Sequence, residues 1–379
     1  MKISYFPLAN FQLERYPIEQ DNQLRAWDAA DEFLLQHINE DQSFNTSSRV
    51  LILNDSFGVL TLALSKNQPV FGNDSFLSHQ SCLFNLKLHS INKNEIQFCN
   101  SLQALQGMFD FVLIKLPKSS ALLEFQLFQI REHINVKSKI ITAGMSKNIH
   151  SSTLKLFERI VGETRTSLAQ KKARLIYTTR NEKLNNGKSQ YPKSFIFEAD
   201  KKSFEIINHA NVFSRDRLDN GSRFLLENLP QFERCDVIAD LGCGNGVLGL
   251  LAAEQNKSAR LIFSDESKMA VTSARINFEA AFGKKRNATF LQTDCLRGVE
   301  DDSVDLVLNN PPFHQQHTIH DSIMWKMFSD ARRVLAEAGQ LWVVANQHLG
   351  HHKKLKKLFG NCEMVTRNQK YVIFMAEKR

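Results

Sequence analysis

Two clusters in the second half of this 379-residue chain combine residue types and spacings that chemistry requires. The first is an apolar run, 237–239, followed by Asp240, Gly242, Gly244, Gly246 and Gly249. Glycines at such spacing permit turns and close approaches that a β-carbon blocks, so a backbone loop can wrap a nucleotide-like ligand. The second is Asn310-Pro311-Pro312-Phe313, which follows the apolar run 304–308. Prolines fix φ and remove N–H donors, leaving a stiff bend with its oxygens turned outward. The Asn310 side-chain oxygen and the Pro311 carbonyl can each accept one hydrogen of an exocyclic amine. Phe313 can stack on the ring that bears that amine. Such a grip turns a planar nitrogen toward a methyl donor, and most of its catalytic benefit is positioning.

A glycine loop alone does not define the ligand, because dinucleotide-binding sheets use a similar turn. Asp240, at the end of the expected strand, argues against a pyrophosphate, since two anions repel. It suits the ammonium of a methionine moiety. Asp265 follows the next expected strand about 20 residues on, where an acid can accept both hydroxyls of a ribose. Asp294 ends the third strand and is placed to receive an adenine amine. Any one of these acids also reads as a helix cap or loop residue; three at successive strand ends read as a cofactor site. Asp219 and Gly221, at the start of an amphipathic helix expected over 217–229, either cover the cofactor or, for Asp219, cap that helix. His314, Gln315, Gln316 and His317 extend the same pocket. No third metal ligand stands at suitable spacing, so no metal is expected. The expected cofactor is S-adenosyl-L-methionine and the expected class an N-methyltransferase.

The chain also repeats itself. Residues 50–62 lie over 238–250 with Gly58 on Gly246, and 109–118 lie over 304–313. Val70 and Phe71 fall on Ile262 and Phe263, and 139–144 echoes 340–345. Both halves alternate short apolar strands with helical patterns, which predicts an α/β fold of two tandem Rossmann-like class I methyltransferase domains from an internal duplication. The first copy has lost the chemistry. Ile52 replaces Asp240, Asn54 replaces Gly242, Ser56 replaces Gly244, Lys115 replaces Asn310 and Lys118 replaces Phe313. The expected division is a degenerate domain over 1–185, a polar linker over 186–200 and a catalytic domain over 201–379. Runs 195–199 and 203–207 alternate like the strands of a hairpin at the head of the second domain.

Charge separates the halves further. Residues 115–193 hold 16 basic and 5 acidic side chains, whereas residues 1–114 hold 7 basic and 12 acidic. A basic block of this kind suits a polyanion such as RNA, with Lys115, Lys118, Lys171, Lys172 and Arg174 as expected contacts. A merely solvated basic face is the competing account, and the clusters 284–286 and 353–357 read that way. The start lacks a signal-peptide pattern and no long apolar run suggests a membrane span. Six scattered cysteines without a C-x-x-C pair fit reduced thiols and a cytoplasmic protein.

On these motifs the chain resembles the bacterial ribosomal RNA guanine-N2 methyltransferases with a duplicated domain. The likeness runs nearly end to end and includes Trp27 to Asp31, Asn208 to Ser214, Asp240 to Gly246, Asp265 to Ser267 and Asn310 to His317. It implies N2-methylation of one guanosine in 23S rRNA, with S-adenosylmethionine as sole cofactor, in a cytoplasmic protein; no obligate protein partner is evident from the sequence. Alternatives that share the Asn-Pro-Pro element are methylation of adenine N6 or of protein glutamine. A non-catalytic RNA-binding assembly factor is opposed by the intact glycines and acids of the second copy.

Overall fold

The computed structural model describes residues 12–17, 24–184, 187–199, 202–230, 235–312, 317–347 and 350–379, without the side chains of 317–321. It divides into two compact units, Met1–Gln190 and Tyr191–Arg379.

In the first unit the strands are β1 (Val50–Leu53), β2 (Val70–Asn73), β3 (Gln97–Asn100), β4 (Phe111–Lys115), β5 (Lys139–Met145), β6 (Thr164–Thr166) and β7 (Ala173–Thr178). The helices are α1 (Ala29–Glu40), α2 (Val59–Ala63), α3 (Phe76–Leu88), α4 (Ser120–Arg131) and α5 (Ser151–Ile160). The second unit opens with the antiparallel hairpin β8 (Lys193–Ala199) and β9 (Lys202–Asn208). Its sheet comprises β10 (Val237–Leu241), β11 (Arg260–Asp265), β12 (Ala288–Gln292), β13 (Val304–Asn309), β14 (Leu335–Asn346), β15 (Glu363–Arg367) and β16 (Tyr371–Glu377). Around it lie α6 (Asn220–Glu227), α7 (Val247–Gln255), α8 (Lys268–Phe282), α9 (His317–Val334) and α10 (His351–Phe359).

The two sheets share one topology: β3-β2-β1-β4-β5-β7-β6 and β12-β11-β10-β13-β14-β16-β15. The first five strands of each run parallel and the last two pair antiparallel. Register is also shared. Asp240 lies between Phe263 and Leu308, and Ile52 lies between Phe71 and Leu113. The internal duplication is therefore one of structure as well as of sequence, and the fold is the expected pair of class I methyltransferase domains. Residues 193–199, inside the expected linker, form a strand, because alternate side chains there turn partly inward in the hairpin. The helix expected over 217–229 is shorter, starting only after its cap at Asp219.

Apolar strand runs bury their side chains on both faces, as parallel sheets covered by helices require. Under the glycine turn, Phe263 is fully buried and stacks on Phe290 with ring centroids 5.0 Å apart. A β-carbon at Gly249 would meet the Phe263 ring at 2.3 Å, so α7 lies directly on the sheet only because that side chain is missing. In such a sheet the order changes direction between β10 and β13, where ligands bind beyond the carboxyl ends of the strands. No helix among the described residues is long and apolar enough to cross a membrane.

Candidate active site

The turn after β10 carries three glycines with positive φ, but they serve different ends. Gly246 (φ +80) approaches α8, and a β-carbon there would meet that of Ala274 at 2.8 Å. Its counterpart Gly58 (φ +78) lies equally close to Cys82 in α3. A glycine present in both copies lets the helix that follows each turn pack closely on its neighbour. Gly244 (φ +54), its chain neighbours aside, has no atom of the described residues within 4 Å of where a β-carbon would stand, so it fronts open space. Gly242 is nearly as clear, with the Met327 methyl at 3.4 Å. These two are the glycines that the first copy replaced.

Asp240 is completely buried beneath this turn. Its Oδ2 accepts the Gly249 amide at 2.9 Å, while Oδ1 has no partner among the described residues. Burial pushes its carboxyl up to about 8, against that one hydrogen bond, and the nearby Asp265 charge adds to the rise. An unpaired buried carboxylate oxygen is costly unless a cation meets it. An ammonium fits this oxygen and a pyrophosphate does not. Asp265, at the end of β11, accepts the amides of Gly244 at 3.0 Å and Ser267 at 2.9 Å. Carboxylate oxygens have further lone pairs, so hydroxyls can still be received there. Asp294 is buried with Oδ2 2.7 Å from Lys326 Nζ on α9, a cation that no sequence motif points to.

Across the switch point, Asn309 donates from Nδ2 to the Leu241 carbonyl at 2.8 Å, tying β13 to the turn. Asn310 donates from Nδ2 to Asp219 Oδ2 at 3.0 Å and to Ser222 Oγ at 2.7 Å, and its buried Oδ1 has no partner among the described residues. Pro311 is buried and Pro312 exposed. Phe313 to Gln316 lie outside the described residues, as does the side chain of His317. Asp219 caps α6 by accepting the Ser222 amide, so of the two accounts of Asp219 the cap is the one observed. Gly221 sits in the first turn of α6 facing Asp219 and Asn310. Ser222 and Asn309 belong to the site without having been expected from sequence.

The same crevice in the first unit is filled. Asn54 and Gln126 exchange two amide hydrogen bonds of 2.9 and 2.8 Å across it, and Asn54 also donates to the Lys115 carbonyl. Asp55 accepts the amides of Val59 and Thr61 and the Thr61 hydroxyl, leaving neither oxygen idle. Lys115 lies 2.7 Å from Asp28 and 2.8 Å from Asp31 and is mostly buried. That ion triad removes Lys115 from the expected RNA-contacting set, because its ammonium is held by the start of α1. Lys118, Lys171 and Lys172 are exposed, with Lys171 2.8 Å from Glu32, and Arg174 is partly buried. Lys171 and Lys172 form the tip of the β6–β7 turn, both at positive φ. Among the described residues no group of side chains could hold a metal ion.

Comparison with known proteins identifies the family and the fold. Residues 1–182 match the family model described as the RLMG N-terminal domain, and residues 203–375 match the methyltransferase small domain. Ribosomal RNA large subunit methyltransferase G of Klebsiella pneumoniae subsp. pneumoniae is 45% identical over 372 residues, covering 97% of this chain and 96% of its own. The protein of that name from Pseudoalteromonas translucida is 43% identical with the same coverage. A solved T. thermophilus 16S rRNA N2 methyltransferase, in complex with AdoMet and guanosine, matches with TM-score 0.75 at 20% identity, over 93% of this chain and 92% of that one. Fold and site together define a class I methyltransferase, the enzyme class that takes its methyl group from S-adenosylmethionine. Within that class, the chain belongs to the ribosomal RNA large subunit methyltransferase G family.

The raised Asp240 carboxyl has a consequence for stability. Its folded-state pKa lies above that of an unfolded aspartate, so the folded state binds the proton more tightly and loses stability as pH rises from about 4 to about 8. Asp240→Asn keeps an acceptor for Gly249 without the charge. At pH 8 the variant is expected to be more stable than the parent by on the order of a few kcal/mol in denaturant titration, the gap closing toward pH 4. Equal or lower stability at pH 8 would contradict the buried-charge assignment.

Proposed function

We propose that this protein methylates the exocyclic N2 amine of a guanosine in 23S rRNA, using S-adenosylmethionine, with chemistry confined to the second unit. The observation that carries the reading is the buried Asn310 Oδ1, without a partner among the described residues, at the bend after β13, next to the strand that bears the glycine turn. An oxygen in that state calls for a hydrogen-bond donor. The names of the large-subunit relatives favour rRNA of that subunit, and the T. thermophilus protein is named for N2 chemistry.

In this account Asp240 Oδ1 receives the ammonium of the methionine part, Asp265 the ribose hydroxyls and Asp294 the adenine amine beside Lys326. Gly242 and Gly244 leave room for backbone to approach. Bound there, the cofactor supplies an electrophilic methyl on a sulfonium. Asn310 Oδ1 accepts one hydrogen of the guanine amine and the Pro311 carbonyl accepts the other, which turns the nitrogen lone pair toward the methyl. An arylamine attacks without prior deprotonation, so no general base is assigned. The base is extruded to reach this bend, since a paired helix would hide its amine. The first unit holds RNA through Lys118, Lys171, Lys172 and Arg174, and an rRNA substrate implies action in the cytoplasm.

Asn310→Ala is expected to abolish methyl transfer while leaving RNA affinity within several-fold. Mass spectrometry of digested 23S rRNA should show N2-methylguanosine with the parent alone. A product of N6-methyladenosine, a methylated protein band, or undiminished transfer by the variant would overturn the assignment. Charge reversal at Lys171, Lys172 and Arg174 together should weaken RNA binding and lower the slope of log affinity against log salt by roughly 0.7–0.9 for each phosphate no longer neutralised. An unaltered slope would return these side chains to a solvated face.

A further inference from the structure

The start of α6 does more than begin a helix. Asp219 Oδ2 accepts the Ser222 amide at 3.0 Å and the Asn310 Nδ2 group at 3.0 Å, so one atom both caps the helix and grips the amide. Ser222 Oγ holds the same Nδ2 at 2.7 Å. A carboxylate accepts and does not donate, so whichever Asn310 atom faces it has to be nitrogen. The oxygen is thereby turned the other way. A β-carbon at Gly221 would stand 2.9 Å from Asp219 Oδ2, so its absence keeps the gripping carboxylate in place, while Asn310 Oδ1 would lie in ordinary contact at 3.5 Å.

The degenerate copy supplies an independent observation. Trp27-Asp28-Ala29-Ala30-Asp31 stands at the start of α1 as Leu218-Asp219-Asn220-Gly221-Ser222 stands at the start of α6. There too the cap residue and the residue three further on grip the end of the fourth strand, now through Lys115. Asparagine has become lysine, serine has become aspartate, and glycine has become alanine.

We propose that Asp219, Gly221 and Ser222 form a positioning device that fixes the Asn310 amide with its oxygen toward the substrate, which restricts the site to methyl acceptors that donate an N–H. The proposal rests on the reading of Asn310 as the amine-gripping residue. Asp219 and Ser222 act through Asn310 and are positioning residues. A free amide would rotate and, in half its orientations, present its own hydrogens to those of the amine.

The test compares Asp219→Ser, which keeps a helix-capping hydroxyl too short to reach Asn310, with Gly221→Ala, which displaces the carboxylate, in the full-length protein. Both are expected to unfold at the parental temperature and to bind S-adenosylmethionine with parental affinity in calorimetry. Both should lose kcat by about tenfold or more, with KM for rRNA changed less than threefold. Asp219→Asn retains an oxygen pinned by the Ser222 amide and should keep kcat within about threefold of the parent. Parental kcat in Asp219→Ser and Gly221→Ala overturns the proposal, as does a loss confined to cofactor affinity. If those variants are fully active while Asn310→Ala is dead, the positioning device alone falls. If Asn310→Ala is itself fully active, the reading of Asn310 falls first.

Discussion

Where the crossovers of a doubly wound sheet diverge, neither helix covers the carboxyl ends of the two central strands. Leu241 pairs with Asn309 at that point in one sheet and Leu53 with Ile114 in the other. A crevice opens there in both units of this protein. It has to be lined by groups that wait for a ligand or be closed by groups that satisfy one another, because buried polar atoms without partners are costly. The two copies take the two solutions.

In the first unit the replacements at Asn54 and Lys115 work toward closure. The amide pair of Asn54 and Gln126, the three bonds to Asp55 and the Lys115 triad are complete without anything from outside. In the second unit the crevice is left incomplete: Asp240, where the first copy has Ile52, and Asn310, where it has Lys115, each keep one buried oxygen unpaired among the described residues. Stability is given up at those two atoms, and both face chemistry that a charged, amine-bearing reaction would supply. Local strain and unmet polar demand concentrating at a functional site is the expected pattern in a protein otherwise consistent across levels.

Much of this is legible in the sequence for a definite reason. The glycine spacing, the acids at strand ends and the Asn-Pro-Pro bend are local patterns, and the duplication shows because Gly58 and Gly246 share a place in both registers. The grip on Asn310 is not legible, since its partners Asp219 and Ser222 lie 91 and 88 positions away and neither residue type is distinctive. The parallel between Asp28–Asp31 and Asp219–Ser222 is the signal available for it. Lys115 reads as a surface cation because charge does not report burial. The polar composition of 186–200 suggests a linker throughout, yet from Lys193 on its alternation makes a hairpin strand.

One closed crevice and one open crevice per chain is the central claim, and ligand stoichiometry reads it directly. Calorimetric titration of the full-length protein with S-adenosylmethionine should show a single site per polypeptide. Two sites per polypeptide, or none, would contradict the account.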